Sequence, residues 1–448
     1  MRSLIESRHA ALVVGLGFAA LYLALLTQQY IGDGMRWYGA IAGLRPPELG
    51  GTNHLLYPLL GHVWFRAGLT LGAVPGYALA QSMNAVFGGL ALGAYFAMVR
   101  HWTRSAGLAA LAVLTLGFAR AFSLHGVDMT EPMPGVAMAM VGLWLLARTA
   151  PAGYRRGTLL LAGACLGLAA ALYQSNTLAV VGAMALVALV GPARTWPRRL
   201  WQAALVAAAA GLVAAGLYVV AMLTLGGAHD VGEAIRMSLV TESQLTGGAY
   251  AEVSLRRAAV LVFGLADALF GVRGLDGLSS DLFARGFTRP VGIAIALTAL
   301  SVSVPLGLAV LSVFQRLSAF RTERQTALLL ALGIGLLAQL SLAFYFGARY
   351  SKLWMLPLAF LIGGAAVAVA ALRERPSTRG RLGLGLLLCG WTIPVVFTGL
   401  FANLIPDHNT PLACLGDAKA IVQRLAPGDL LISDWGGLPC EPQAPMKT

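Results

Sequence analysis

The side chains best suited to chemistry fall in four short stretches that lie between long apolar runs. In chain order these stretches are "IGDGMRWY", "TNHLLYPLL", "SLHGVDMTEPMPG" and "FYFGARYSKLWMLP". The candidate site residues among them are Asp33, Tyr38, His54, His125, Asp128, Glu131, Arg349 and Lys352.

Acids and cations in this combination suit the transfer of a sugar from a lipid-linked phosphate. A carboxylate such as Asp33 can take the proton from an acceptor hydroxyl. The cations Arg349 and Lys352 can bind the phosphate and stabilise the charge that develops on the leaving group. The set therefore predicts one site, provided that the chain brings these stretches together.

Each residue also has a structural explanation. Asp33 alone is typical of a solvated loop acid, and Glu131, which precedes a proline, is typical of a helix start. Arg349 and Lys352 are suited to anchoring at a membrane interface. His54 fits a hydrogen-bonding loop residue. Only the combination favours a catalytic site.

The apolar runs that must position these residues indicate a membrane protein. The chain has 448 residues, of which 58% are hydrophobic and 11% are charged, whereas about 25% are charged in a typical soluble domain. Runs near the length that crosses a bilayer predict an all-α polytopic membrane helix bundle with about eleven transmembrane helices. They cover approximately residues 10–29, 76–99, 106–124, 132–147, 158–173, 176–191, 201–225, 291–313, 326–346, 353–372 and 383–401.

The basic residues give these helices a direction. With the N-terminus in the cytoplasm, the inner segments hold more than half of the 32 Lys and Arg residues but few acids, which are Glu6, Glu323 and Glu374. Such an excess marks the cytoplasmic side, so the net charge of +13 reflects topology and not nucleic-acid binding. A crossing at residues 258–271 would break this pattern, and we expect an interfacial or re-entrant helix there.

The sequence therefore predicts a membrane domain over residues 1–401 and a short extracytoplasmic tail over 402–448. The outer loops are 30–75, 120–131 and 226–290, and the first includes an amphipathic interfacial helix. Cys414 and Cys440 in the tail would face an oxidising compartment, where a disulfide between them is one option. Most acids then collect at one membrane surface, which favours a site there over a transport path through the midplane.

The order of these features resembles the GT-C superfamily of integral membrane glycosyltransferases, which includes the protein O-mannosyltransferases and the lipid A aminoarabinose transferases. Asp33 in "YIGDGMRWY" occupies the place of the family's catalytic acid, just after the first helix. "TNHLLYPLLGHVWFRAGL" is similar to the interfacial segment that follows, and "VDMTEPMPGVAMAM" to the second acidic motif. "GARYSKLWMLPLAFL" is similar to a late Arg-Tyr motif, and together the likeness covers about residues 1–400.

The resemblance implies a glycosyltransferase that moves a sugar, with inversion, from a polyprenyl-phosphate donor to an extracytoplasmic glycan, lipid or protein. It implies a bacterial-type inner membrane in the cell envelope. Asp33 would be the general base, and Glu131 would position the acceptor or, with Asp33, a divalent cation such as Mg²⁺ or Mn²⁺. The expected substrate contacts are Asp128, His54, Tyr38, Arg349 and Lys352.

Two other functions stay open from the sequence. A multipass transporter or flippase for a lipid-linked or small polar substrate would have polar groups along an interior path and a pseudo-repeat between its halves. An inactive or assembly member of the same fold would keep the architecture without turnover.

Overall fold

The computed structural model describes residues 9–28, 32–43, 56–150, 153–193, 195–224, 227–235, 255–271, 289–318, 323–346, 351–373 and 378–409. Within these ranges the chain is helical and contains no β-strand. The helices that we number are α1 (Ala10–Ala24), α2 (Gly32–Gly43), α3 (Leu56–Thr70), α4 (Tyr77–Thr103), α5 (Ala106–Phe118), α6 (Arg120–Val127), α7 (Pro132–Thr149), α8 (Arg156–Leu172), α9 (Gln174–Val190), α10 (Trp196–Thr224), α11 (Leu255–Phe270), α12 (Arg289–Ser318), α13 (Glu323–Phe346), α14 (Ser351–Arg373) and α15 (Thr378–Asn409).

Six of the described helices are long and apolar enough to cross a membrane: α4, α10, α12, α13, α14 and α15. The pair α5 and α6, bent by 65°, makes a seventh if the two form one broken span. Every predicted crossing coincides with a helix, but the number of about eleven spans is not confirmed. Shorter helices such as α1, with 15 residues, cover only about 22 Å at 1.5 Å per residue, which is less than the thickness of the hydrocarbon core.

Glycines allow two helix pairs to pack backbone against backbone. A Cβ atom on Gly93 of α4 would lie 2.8 Å from the carbonyl oxygen of Ala11 in α1. A Cβ atom on Gly163 of α8 would lie 2.6 Å from the carbonyl oxygen of Val206 in α10. Such close packing stabilises helix pairs in lipid, where van der Waals contact takes the place of the hydrophobic effect.

Three helices form the inner part of the bundle. The apolar windows of α14 and α4 are 78% and 67% buried, whereas that of α10 is 33% buried. Helix α7 is also an inner helix, since side chains such as Met133, Met140 and Leu146 are buried along its length. These helices can therefore hold polar side chains at fixed positions at either end.

Segments expected as outer loops contain further helices. The first loop, 30–75, contains α2 and α3, and α3 corresponds to the predicted interfacial helix. The loop expected over 120–131 is instead helical from Arg120 to Val127, because Ala121, Phe122 and Val127 bury their side chains in the core. The segment predicted as an interfacial or re-entrant helix is α11.

Candidate active site

Polar side chains converge where five helices end on the same side of the bundle. Helices α4, α7 and α14 begin there, and α1 and α6 finish there, so their termini surround one small volume. We call this cluster the carboxylate site. Its members are Trp37, Tyr77, Gln81, Asn84, Asp128, Glu131 and Lys352.

Glu131 is a buried carboxylate that is held by two donors. Its side chain is 1% exposed, and its Oε1 atom lies 2.7 Å from Nζ of Lys352. Trp37 of α2 donates from Nε1 to Oε2 of Glu131 at 3.2 Å. Glu131 precedes α7 but makes no side-chain capping bond to it, so helix capping does not explain the residue. A buried charge is costly unless it is paired, and the partners of Glu131 come from two distant parts of the chain.

Asp128 is also fully buried, and it is fixed by donors of another kind. The Tyr77 hydroxyl donates to its Oδ1 atom at 2.8 Å, and the backbone N–H of Met129 donates to the same atom at 2.8 Å. Gln81 approaches that oxygen with Nε2 at 3.4 Å and also donates to the carbonyl of Thr27 at 3.0 Å. Asp128 therefore joins the end of α1, the start of α4 and the chain before α7.

Asn84 shapes the chain that carries the two acids. Its Nδ2 atom donates to the carbonyl oxygens of His125 at 3.2 Å, Asp128 at 2.8 Å and Thr130 at 2.6 Å. The segment between α6 and α7 has few backbone partners of its own, so a buried amide satisfies carbonyls that would otherwise be unpaired. Asn84 thereby holds Asp128 and Glu131 in one arrangement.

His125 links this segment to α14. Its Nδ1 atom lies 2.7 Å from Oγ1 of Thr130, and its Nε2 atom lies 3.0 Å from Oγ of Ser351. Ser351 precedes Lys352, so the histidine fixes the chain that carries the cation opposite Glu131. We therefore assign His125 a positioning role within the site.

The main chain next to Asp33 touches the carboxylate site. A Cβ atom on the buried Gly34 would lie 2.8 Å from the carbonyl oxygen of Met129 and 3.4 Å from Oδ1 of Asp128. Glycine is thus required for α2 to approach this closely. Asp33 lies within α2, but its side chain is outside the described residues, as are His54 and Arg349.

Aromatic rings form one wall of the site. Trp37 packs edge-on against Tyr57 of α3 at 5.9 Å between centroids, and Tyr38 packs against Tyr77 at 5.5 Å. Burial, reinforced by the charges of Glu131 and Asp128, holds the pKa of Tyr57 well above its ordinary value, so its hydroxyl stays protonated. Burial also raises the pKa of Tyr38.

A second polar cluster braces the same end of the bundle. Arg120 of α6 donates to Oδ1 of Asn403 at 2.8 Å and lies 3.9 Å from Oδ2 of Asp407, both in α15. The backbone N–H of Gln28 donates to the carbonyl of Asp407 at 2.9 Å, which joins α15 to the end of α1. This cluster positions the helices around the site and does not contribute a group to it.

The described side chains around Glu131 do not form a metal-binding site. Among the described residues, no group of three His, Cys, Asp or Glu side chains is arranged to bind a cation. The ammonium of Lys352 and the indole of Trp37 already take one oxygen each of Glu131. A cation at Glu131 would share its oxygens with these two donors.

Several members of the site were missed from the sequence. None of Trp37, Tyr77, Gln81, Asn84 and Ser351 was among the residues predicted for the site. The spacing of Tyr77, Gln81 and Asn84 by four and three residues places them on one face of α4. That periodicity is the signal that could have found them.

Structures of known proteins share the fold. An oligosaccharyltransferase from Archaeoglobus fulgidus, in its apo form, aligns at a TM-score of 0.53 with 15% identity, over 94% of this chain and 59% of that one. The same archaeal protein, AglB, in complex with an inhibitory peptide and a dolichol-phosphate aligns at a TM-score of 0.52 with 15% identity, over 94% of this chain and 59% of that one. Its complex with Zn and sulfate aligns at a TM-score of 0.52 with 15% identity, over 92% of this chain and 55% of that one. The chain thus spans about 59% of the length of the oligosaccharyltransferase that it matches.

A second protein is more distant in structure. ArnT from Cupriavidus metallidurans, bound to undecaprenyl phosphate, aligns at a TM-score of 0.44 with 15% identity, over 94% of this chain and 82% of that one. No protein-family model matches the chain. No curated protein matches it. The alignments to the archaeal enzyme confirm the fold that the resemblance to GT-C membrane glycosyltransferases predicted.

Proposed function

We propose that this chain is a membrane glycosyltransferase that transfers a sugar from a polyprenyl-phosphate donor to an extracytoplasmic acceptor. The observation that carries this proposal is the buried pair of Glu131 and Lys352 beside Asp128, at the helix ends that the GT-C pattern assigns to the site. Similar structures hold a dolichol-phosphate in one case and undecaprenyl phosphate in another. Fold likeness alone does not carry function, so the argument rests on these side chains.

Asp33 is the proposed general base. The neighbouring Gly34 packs against Asp128, so the backbone of Asp33 lies one residue from the carboxylate site. In the reaction, the acceptor oxygen bonds to the anomeric carbon as the bond from that carbon to the phosphate oxygen breaks. The acceptor proton passes to Asp33, and polyprenyl phosphate leaves with the electron pair, so one displacement inverts the anomeric carbon.

Lys352 and Arg349 are the proposed phosphate contacts. An ammonium has three N–H donors, so Lys352 can hold Glu131 at 2.7 Å and also donate to a phosphate oxygen. A cation at this position stabilises the negative charge that grows on the leaving phosphate. Arg349 lies three residues earlier in the chain and would add a bidentate contact.

Glu131 and Asp128 are proposed to position the acceptor side of the site. Both are buried and held in place by several donors, so their charge is fixed before substrate arrives. Such preorganisation lowers the reorganisation that the transition state requires. His54 and Tyr38 are proposed as further substrate contacts from the α2–α3 wall.

We derive no step through a metal ion, because among the described residues no group of three His, Cys, Asp or Glu side chains is arranged to bind one. The orientation that we propose places the carboxylate site outside the cytoplasm, in a bacterial-type inner membrane. The sequence assigns more than half of the Lys and Arg residues, and few acids, to the opposite side, which supports that orientation.

The test is a transfer assay on the full chain in proteoliposomes that contain polyprenyl-phosphate sugars labelled in the sugar. We expect labelled acceptor and free polyprenyl phosphate to form in equal amounts. A flippase would move the donor across the bilayer without releasing polyprenyl phosphate. Movement of intact donor with no release would therefore overturn the proposal.

A further inference from the structure

A cavity lies at the end of the inner helices that is opposite to the carboxylate site. Helix α4 runs from Tyr77 at the carboxylate site to Thr103, which is about 40 Å at 1.5 Å per residue. Helix α7 likewise begins after Glu131 and carries Arg148 in its last turn. We call this feature the arginine cavity, and it is lined by Arg100, Arg104, Arg148 and Arg324 together with His101.

The arginine cavity concentrates positive charge. It has a volume of about 520 Å³, and none of the described residues that line it is acidic. For Arg104 and Arg324, the described part of the chain shows no ion pair. These guanidinium groups are exposed, so they need no neutralising partner, but together they attract an anion that enters the cavity.

Individual side chains are held toward the cavity at some cost. Among the described residues, Arg104 is the one non-glycine with a left-handed backbone, with φ of 53°. Glycine is favoured at such a helix end, yet an arginine is present. Arg148 stacks on the ring of Trp144 at 5.5 Å, which orients its guanidinium. Nε2 of His101 is buried and has no hydrogen-bond partner within the described ranges.

An apolar chamber adjoins this charged lining. A second cavity of about 320 Å³ shares His101, Arg104 and Arg324 with the first. Its remaining walls include apolar side chains of α7, α9 and α13, namely Leu146, Ala147, Leu186, Val190 and Leu328. A ligand that places an anion among the arginines would thus meet an apolar surface immediately beside them.

We propose that the arginine cavity binds the phosphate group of an anionic phospholipid, with the start of an acyl chain in the adjoining chamber. Clustered guanidinium groups suit phosphate oxygens because they donate in pairs. Basic pockets between transmembrane helices on the cytoplasmic side bind such headgroups in general. This inference does not depend on the proposed transferase activity, because it uses none of the residues of the carboxylate site.

The test measures binding of phosphatidylglycerol labelled in its acyl chain to the purified full chain in neutral detergent. We expect saturable binding that unlabelled phosphatidylglycerol displaces, while phosphatidylcholine does not. Each arginine removed should weaken binding about fivefold, so Arg104→Gln with Arg324→Gln should raise Kd about 25-fold. Arg198→Gln, an equal loss of exposed charge outside the cavity, should leave Kd within about twofold.

Competition with inorganic phosphate separates a lipid from a soluble ligand. If inorganic phosphate displaces the labelled probe as effectively as unlabelled phosphatidylglycerol does, the lipid assignment is overturned. Binding that is not saturable, or that Arg198→Gln weakens as much as the double variant, would overturn the site itself. If the double variant does not fold, Arg148→Gln alone should give the fivefold loss, and an unchanged Kd would contradict the proposal.

Discussion

The two ends of helices α4 and α7 carry charge in opposite ways. At the carboxylate site, Asp128 and Glu131 are buried and each is held by identified donors. At the arginine cavity, Arg104, Arg148 and Arg324 are exposed and surround open space. At the carboxylate site the protein's own donors fix the charges. At the arginine cavity the charges face open space, where they can bind an anion.

This difference predicts different responses to mutation. A buried, paired charge couples to its partner and to the fold, so its removal is costly. An exposed charge is solvated, and its removal changes binding of an anion more than it changes stability. The experiments below separate the two ends, beginning with the largest expected effect.

Lys352→Met should destabilise the protein most. It removes the ammonium that pairs with the buried Glu131, and loss of one partner of a buried pair costs about 3–5 kcal/mol. Since the Lys352 side chain is 24% exposed, we expect the lower end of that range. Denaturant titration in detergent micelles measures the loss.

A double-mutant cycle supplies the control for this pair. Glu131→Gln in the Lys352→Met background removes the stranded charge and should recover part of the lost stability. Additive losses of unfolding free energy would show that the two side chains do not interact. The pair would then not hold the charge of Glu131 in place at the carboxylate site.

Gly34→Ala should reduce transfer about 100-fold, the scale expected when a catalytic group shifts by about 1 Å. Its new Cβ atom would lie 2.8 Å from the carbonyl of Met129, so α2 and Asp33 must move. The matched control is Gly39→Ala in the same helix, where a Cβ atom meets nothing within 4 Å. Initial rates on equal amounts of folded protein compare the two, and equal rates would contradict the close approach of α2.

Asn84→Ala should cost about 1–3 kcal/mol of unfolding free energy, because three carbonyls lose their amide donor. Ser341→Ala is the control, since its exposed hydroxyl bonds only within its own helix in the described contacts. The same denaturant titration applies. A loss no larger than that of the control would mean that the segment around Asp128 holds its shape without Asn84.

Arg104→Gln with Arg324→Gln should leave the transfer rate within about twofold. Along α7, Glu131 of the carboxylate site and Arg148 of the arginine cavity are about 25 Å apart, roughly three times the screening length of about 8 Å at physiological salt. Rates at saturating donor in proteoliposomes test this expectation. A large fall in rate would show that the two ends are coupled through the inner helices.

The helices were predictable from the sequence because apolar runs near bilayer length have few alternatives. The four polar stretches were also identified, and each has a described residue at one end of the bundle: Gly34, Tyr57, Asp128 and Lys352. The sequence could not give the number of complete spans, because helix length differs from the length of an apolar run. Helix α1, with its 15 residues, is an example.

The partners within the site were not predictable, because they depend on long-range packing. Trp37 and Glu131 are 94 residues apart, and Glu131 and Lys352 are 221 residues apart. No local pattern relates such residues, whereas the local face of Tyr77, Gln81 and Asn84 was visible in the spacing. The depth of burial of Asp128 was missed for the same reason, since an acid beside a loop is normally solvated.

The central claim is that the carboxylate site transfers sugar with Asp33 as its base. The most direct measurement is the transfer rate of Asp33→Asn in proteoliposomes, at equal amounts of folded protein. The control is Asp230→Asn. Asp230 Oδ1 accepts a hydrogen bond from the backbone N–H of Glu233 at 2.7 Å, and the side-chain oxygen of asparagine can accept the same bond. We expect a loss of about 100-fold or more for Asp33→Asn, the scale of general-base catalysis, and a nearly unchanged rate for the control. A full transfer rate in Asp33→Asn would contradict the account.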